Sequence, residues 1–251
     1  MSSFLMSGRS TLLVAIVLLS SLPSCLTPPP SRVGSPDEEL GALLEQLHET
    51  RGDTFAKEAG LGDEAAAREG RIRREIERLA VVHPRHVPVL VANASLAYER
   101  NDPVGAQKYL DQARALAPSH TQATLLRVRI AAEAGNLPYA RRMLRDQLEL
   151  APDRPELHEA LGGILYLTGD YDEALAALDV ADRLREVPVE GEPATPSVTH
   201  YHRGLIAEAR GDFAVALESY RRSQEQSPDF EPAAVRLKWL EASSPAQGGD
   251  E

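Results

Sequence analysis

The sequence has one cysteine, Cys25, in 251 residues. That excludes an internal disulfide framework, a cysteine zinc cluster and a dithiol redox centre. Aromatic residues are sparse at 5%. β-Branched runs are scarce beyond the first twenty residues, while alanine and leucine are plentiful, so the bias is towards helix. Basic residues are the minority: 27 Lys plus Arg against 38 Asp plus Glu give a formal net charge of −11. Such a chain lacks the clustered cations that displace counterions from a phosphate backbone, and nucleic acid is not an expected partner. Nor would it be drawn electrostatically to anionic lipid, so any membrane attachment must be covalent or apolar. HExxH, GxSxG and CxxC are all absent, and the chain is expected to be neither an enzyme nor a cofactor binder. His83 and His86 flank Pro84, and His200 and His202 lie two apart. With no carboxylate cluster beside them, both pairs read as surface histidines, and no metal is expected.

Only one long apolar run is present, Thr11 to Leu22, with Arg9 as the sole charge before it. It is shorter than the roughly 20 residues that span a bilayer and suits the apolar core of a secretion signal. The run ends in Leu22-Pro23-Ser24-Cys25, which resembles a bacterial lipobox, although Pro23 departs from the usual small or branched residue. The resemblance implies a signal peptide over 1–24 and lipidation (palmitate) at Cys25. An incidental cysteine beside an ordinary cleavage site is the competing reading. Residues 25–36 continue as a Pro-rich tether that favours extended conformations. Leu26 is not the aspartate that retains many lipoproteins at the inner membrane, and the resemblance therefore implies the outer membrane, facing the periplasm.

Beyond the tether the chain repeats. Pro84, Pro118 and Pro152 are 34 residues apart, and Pro228 follows after two periods plus eight. Aligning the segments that start at Val87, Thr121, Pro155 and Ser197 superposes like residues. Position 8 is Ala94, Val128, Gly162 and Gly204; position 10 is Leu96, Ile130, Ile164 and Ile206; position 20 is Ala106, Ala140, Ala174 and Ala216; position 24 is Leu110, Leu144, Leu178 and Tyr220. Small residues at position 8 predict close approach of two backbones. Position 16 is Asp102, Asn136, Asp170 and Asp212, all residues that cap a helix start, with Glu173 placed to complete a capping box with Asp170.

The period and these sites resemble the tetratricopeptide repeat (TPR). The resemblance implies an all-α solenoid of antiparallel helix hairpins. Three hairpins are expected over 87–186, a Pro/Glu-rich insertion loop over 187–196 and a further hairpin over 197–230. A divergent first hairpin is expected over 37–86, a capping helix containing Trp239 over 231–242 that shields the last hairpin, and a disordered tail over 243–251.

In the TPR family the first helix of each hairpin lines a concave binding face. The resemblance places Tyr98, Glu99, Arg129, Glu133, Glu159, Tyr166, Tyr201 and Glu208 in that groove, which would be tyrosine-lined and mildly acidic. Tyrosine gives a large apolar area with few rotors to freeze. Tyr98 and Tyr166 are equally readable as packing residues, whereas Tyr201 leans towards binding. The expected role is a protein-binding scaffold for an envelope machine, in motility (gliding or type IV pilus assembly) or secretion. Secretin or motility-complex subunits are the expected partners. The alternative is an adaptor that recruits periplasmic proteases or peptidoglycan enzymes.

Overall fold

The computed structural model describes residues 34–52, 62–186 and 198–243. The signal segment, Cys25, most of the tether, the insertion and the C-terminal tail from 244 lie outside the described residues. The described residues form eleven helices and no strand: α1 Pro36–Gly52, α2 Gly62–Val82, α3 Val87–Glu99, α4 Pro103–Leu116, α5 Thr121–Glu133, α6 Leu137–Leu150, α7 Pro155–Thr168, α8 Tyr171–Arg185, α9 Thr199–Ala209, α10 Phe213–Gln226 and α11 Glu231–Ser243.

Helix boundaries follow from backbone chemistry. At α1, Ser35 and Glu38 exchange reciprocal bonds of 3.0 and 3.2 Å between backbone N–H and side-chain oxygen, a capping box with Pro36 just inside it. Each of α3, α5, α7 and α9 ends in the same pair of bonds. The position-15 N–H donates to the position-12 carbonyl, and the position-16 N–H donates to the position-11 carbonyl, as in Gly169 to Tyr166 (3.0 Å) and Asp170 to Leu165 (2.9 Å). This is a Schellman ending, which needs a left-handed residue. Position 15 supplies it with Asn101 (φ 59°), Gly135 (77°), Gly169 (82°) and Gly211 (81°). Between units, Pro84, Pro118 and Pro228 sit second in turns closed by bonds such as His120 N–H to the Ala117 carbonyl, 3.2 Å. The ring fixes the φ that such a turn requires.

Capping at position 16 divides. Asp102, Asn136 and Asp212 accept from the N–H groups of Gly105 (2.8 Å), Tyr139 (3.4 Å) and Val215 (3.2 Å). Asp170 does not cap α8. Its carboxylate instead accepts from Arg141 and Thr168, both at 2.8 Å, and Glu173 bonds Arg141 at 2.7 Å. The expected capping box is thus replaced by an ion-pair link to α6, because a guanidinium binds a carboxylate more strongly than a backbone N–H does.

Helices pair as α1/α2, α3/α4, α5/α6, α7/α8 and α9/α10, and α11 lies against α10. The first helices also touch in series, α1 to α3, α3 to α5, α5 to α7 and α7 to α9, whereas among the described residues the backbones of successive second helices stand further apart and α6 and α8 are bridged by long side chains such as Arg141. The row of first helices is therefore the more closely spaced one. Inside each hairpin, positions 20 and 24 are completely buried in all four units, and each buried leucine stabilises the fold by about 2 kcal/mol.

Position 8 is small for a different reason from the one expected. A Cβ built on Gly162 would lie 2.8 Å from the Leu178 side chain, and one on Gly204 would lie 2.4 Å from the Tyr220 ring. What approaches is chiefly the position-24 side chain, not a second backbone. Replacing Gly204 by alanine should cost about 2 kcal/mol through overpacking against a fully enclosed ring. Adding Tyr220→Leu, which recreates the Ala94/Leu110 combination, should recover most of that loss. Gly169→Ala, where no atom lies within 4 Å of the built Cβ, should cost about 1 kcal/mol from backbone strain alone. Denaturant melts of the three variants check this, and additive effects of the Gly204 and Tyr220 changes would rule out the steric account.

Candidate functional site

All eight sequence-predicted groove residues lie on first helices, but the structure divides them by what each side chain already holds. Tyr98 of α3 donates its hydroxyl to Glu133 of α5. Arg129 bonds Glu133 at 2.8 Å, and its guanidinium carbon lies 5.8 Å from the Tyr98 ring centroid. These three form one cluster across adjacent units, with Arg129 and Glu133 more open than the half-buried Tyr98. The Arg129 and Tyr98 bonds hold the Glu133 carboxyl below its usual range, and the same carboxylate pushes the Tyr98 phenol up. Arg129 and Glu133 remain exposed to a bound chain above the half-buried Tyr98 ring, and exposed Leu167 on α7 adds an apolar contact on the same row.

The other members are occupied. Glu99 takes Arg51 at 2.5 Å and Arg73 at 3.1 Å, tying α3 to α1 and α2. Glu208 accepts from the Tyr220 hydroxyl at 2.8 Å and pairs with Arg236 of α11 at 3.0 Å. Tyr201, expected to bind, instead packs between Tyr220 (5.9 Å between centroids) and Phe230 (5.2 Å, edge-on). Tyr166 packs near Tyr171 at 6.1 Å and contacts the core beneath α9. Its burial raises the phenol's pKa. Both rings are better read as packing.

Glu159 is the clearest correction. Its carboxylate is buried, accepting from Arg185 at 2.6 Å and from the Val198 N–H at 3.2 Å. Arg185 ends α8 and Val198 precedes α9, so one side chain ties together the two segments that flank residues 187–197. Thr199 reinforces the tie by donating to Asp182 at 2.8 Å. The groove is consequently not acidic: each of its four predicted carboxylates is paired with an arginine. No local spacing announces this, because several of these partners stand between 26 and 48 residues apart in sequence.

His202 is also not a surface residue. Its ring covers Gly163, where a built Cβ would meet Nε2 at 3.0 Å, and burial pushes its pKa down to about 4. His86 lies 3.1 Å from Asp37. Among the described residues no three metal-ligating side chains converge, and no helix is long and apolar enough to cross a membrane.

Both buried groups can be tested. Glu159→Gln should lower stability by about 2 kcal/mol, since it removes the charge from both hydrogen bonds, and should speed amide exchange at Val198 and through α9; unchanged exchange there would refute the clamp. His202 stays neutral when folded while the unfolded chain takes up a proton near pH ~6.5. Its contribution is therefore full above about pH 6.5 and is lost as pH falls towards about 4. His202→Leu should flatten that part of a thermal-midpoint profile, and an identical slope in both proteins would count against the assignment.

Residues 97–162 match the family described as Tetratricopeptide repeat. Solved structures share the architecture. TTC0263, a thermophilic TPR protein of Thermus thermophilus, is 21% identical with a TM-score of 0.55 over 74% of this chain and 96% of that one. A tetratricopeptide repeat protein from Parabacteroides merdae ATCC 43184 is 17% identical with a TM-score of 0.57 over 82% and 80%. A chain of the APC/C hetero-tetramer Cut9-Hcn1 is 13% identical with a TM-score of 0.61 over 82% of this chain and 41% of that one. No curated protein matches the sequence. At these identities the likeness is one of fold, and the described residues have the all-α hairpin-solenoid architecture of TPR proteins.

Proposed function

We propose that this chain is a lipid-anchored scaffold of the bacterial outer membrane that docks a periplasm-facing protein in its groove, within a motility or secretion machine. The observation that carries the docking half is the Tyr98, Arg129 and Glu133 cluster with Leu167. These side chains stay accessible on the row of first helices while the other candidates are used internally. An aromatic face, a guanidinium and an exposed leucine suit an extended peptide segment with apolar side chains and polar backbone groups. The anchoring half rests on the lipobox-like Leu22-Pro23-Ser24-Cys25. A repeat scaffold of this kind does no chemistry itself and acts by holding its guest in place.

The test combines labelling with capture. Growth with a palmitate analogue should label the wild-type chain and not Cys25→Ser; an unlabelled wild type removes the anchor. Crosslinking in native envelopes should capture a secretin or motility-complex subunit. The combined Tyr98→Ala, Arg129→Ala and Leu167→Ala variant should retain its helical circular dichroism and lose that product. Capture of a protease or peptidoglycan hydrolase would favour the recruiting-adaptor role, and undiminished capture by the triple variant would place the docking site elsewhere.

A further inference from the structure

The last helix does not simply shield the stack, as its sequence predicts, because it leaves its largest side chain uncovered. α11 buries Ala233, Leu237 and Leu240 to differing degrees against the preceding hairpin, while Val235 and Trp239 remain 58% and 52% exposed. Counted from Glu231, these two occupy repeat positions 5 and 9. On α7 and α9 position 9 meets the next first helix: His202 covers Gly163, and Leu205 is buried in the cluster that holds Leu240. Positions 8 and 11, which face a unit's own second helix, are here the charged and exposed Lys238 and Glu241. α11 is thus polar where its own second helix would lie and apolar where another first helix would stack.

At about 100° per residue, Glu231, Pro232, Val235, Lys238 and Trp239 fall on one face, opposite Ala233 and Leu240. All five are exposed. Among the described residues, neither Glu231 nor Lys238 has an ion-pair partner. Within one helix they are seven residues apart, about 10 Å along the axis, and cannot pair with each other. Their order is self-complementary. An antiparallel helix related by a two-fold axis near Val235 brings Val235 against its own counterpart. Trp239 then meets Pro232 of the second copy, and Lys238 meets Glu231 within about one residue's rise, on both sides of the axis.

We infer that α11 is a homodimerisation helix and that its occupant is α11 of a second copy of this chain. The charge complementarity selects that occupant, since the same five residues supply both halves of every contact. One helix pair covers less than the ~1,600 Å² of a standard specific interface. The association is therefore weak and concentration-dependent.

Disulfide trapping of the full chain tests this. Val235→Cys should oxidise to a dimer on a non-reducing gel. The wild type, carrying only Cys25, and Val81→Cys, an exposed position on α2, should stay monomeric. In the Val235→Cys background, Lys238→Glu or Glu231→Lys alone should cut the trapped dimer about tenfold, as like charges then face each other twice. The double swap should restore it, with circular dichroism melts verifying that each variant folds. Three results would each overturn the proposal: trapping no greater than at position 81, a double swap that fails to restore the product, or capture of a different protein by the thiol introduced at position 235.

Discussion

Everything in this fold depends on how closely the two helices of a hairpin can approach, and that is set by the fit between repeat positions 8 and 24. The side chain at position 24 is fully buried in all four units, and where it is largest the residue across from it at position 8 is smallest. Leucine faces alanine, valine and glycine in the first three units, and in the last the larger Tyr220 faces Gly204. Because Tyr220 lies flat over Gly204, its hydroxyl emerges at Glu208, and Glu208 in turn reaches Arg236 on α11. A packing choice inside one hairpin is thereby linked to the terminal helix through one hydrogen bond and one ion pair. Interiors at crystal-like density transmit such choices instead of absorbing them.

A second constraint is the fate of charge on the inner row. A carboxylate near apolar surface needs a partner, and arginine supplies one with directional bonds. In this chain most of those arginines come from other helices, and the carboxylates at Glu99, Glu159 and Glu208 also tie their unit to the next, Glu159 through the Val198 N–H. Glu99 does so at the N-terminal end, Glu159 at the insertion and Glu208 at the terminal helix. What remains for a guest is the one cluster whose members bridge units and still face solvent.

Much of the architecture was legible in the sequence because the TPR period is written in residues with mechanical duties. Prolines mark the inter-unit turns, glycine or asparagine marks the left-handed ending, and alanine marks position 20. These duties are local or recur at fixed spacing, so a one-dimensional pattern carries them. The site was legible only as a set of positions. Whether a groove residue is open depends on its neighbours in adjacent units, and these are set by stacking geometry. Tyr98 and Tyr201 both belong to the groove set, yet one faces an exposed Glu133 and the other is wedged between Tyr220 and Phe230. Asp170 shows the same limit at a cap: its spacing is that of its three counterparts, yet its carboxylate is taken by Thr168 and by Arg141 from another unit.

The insertion between α8 and α9 illustrates how a solenoid tolerates interruption. Loop-closure entropy grows slowly with length, so a loop's cost lies mainly in holding its ends where stacking needs them. In this chain the two ends are joined by Glu159, at the groove position where a binding residue would otherwise stand, and by the Asp182–Thr199 bond beside it. The third unit has thus given up a groove side chain to close the segment that follows it. The accessible polar cluster lies on α3 and α5, upstream of the interruption. α7 contributes only Leu167 to the open row: Tyr166 is packed, and the middle of the inner face is committed to Glu159 and to the Gly163 seat of His202. Continuity of the stack across the insertion has been kept at the expense of recognition by the unit beside it.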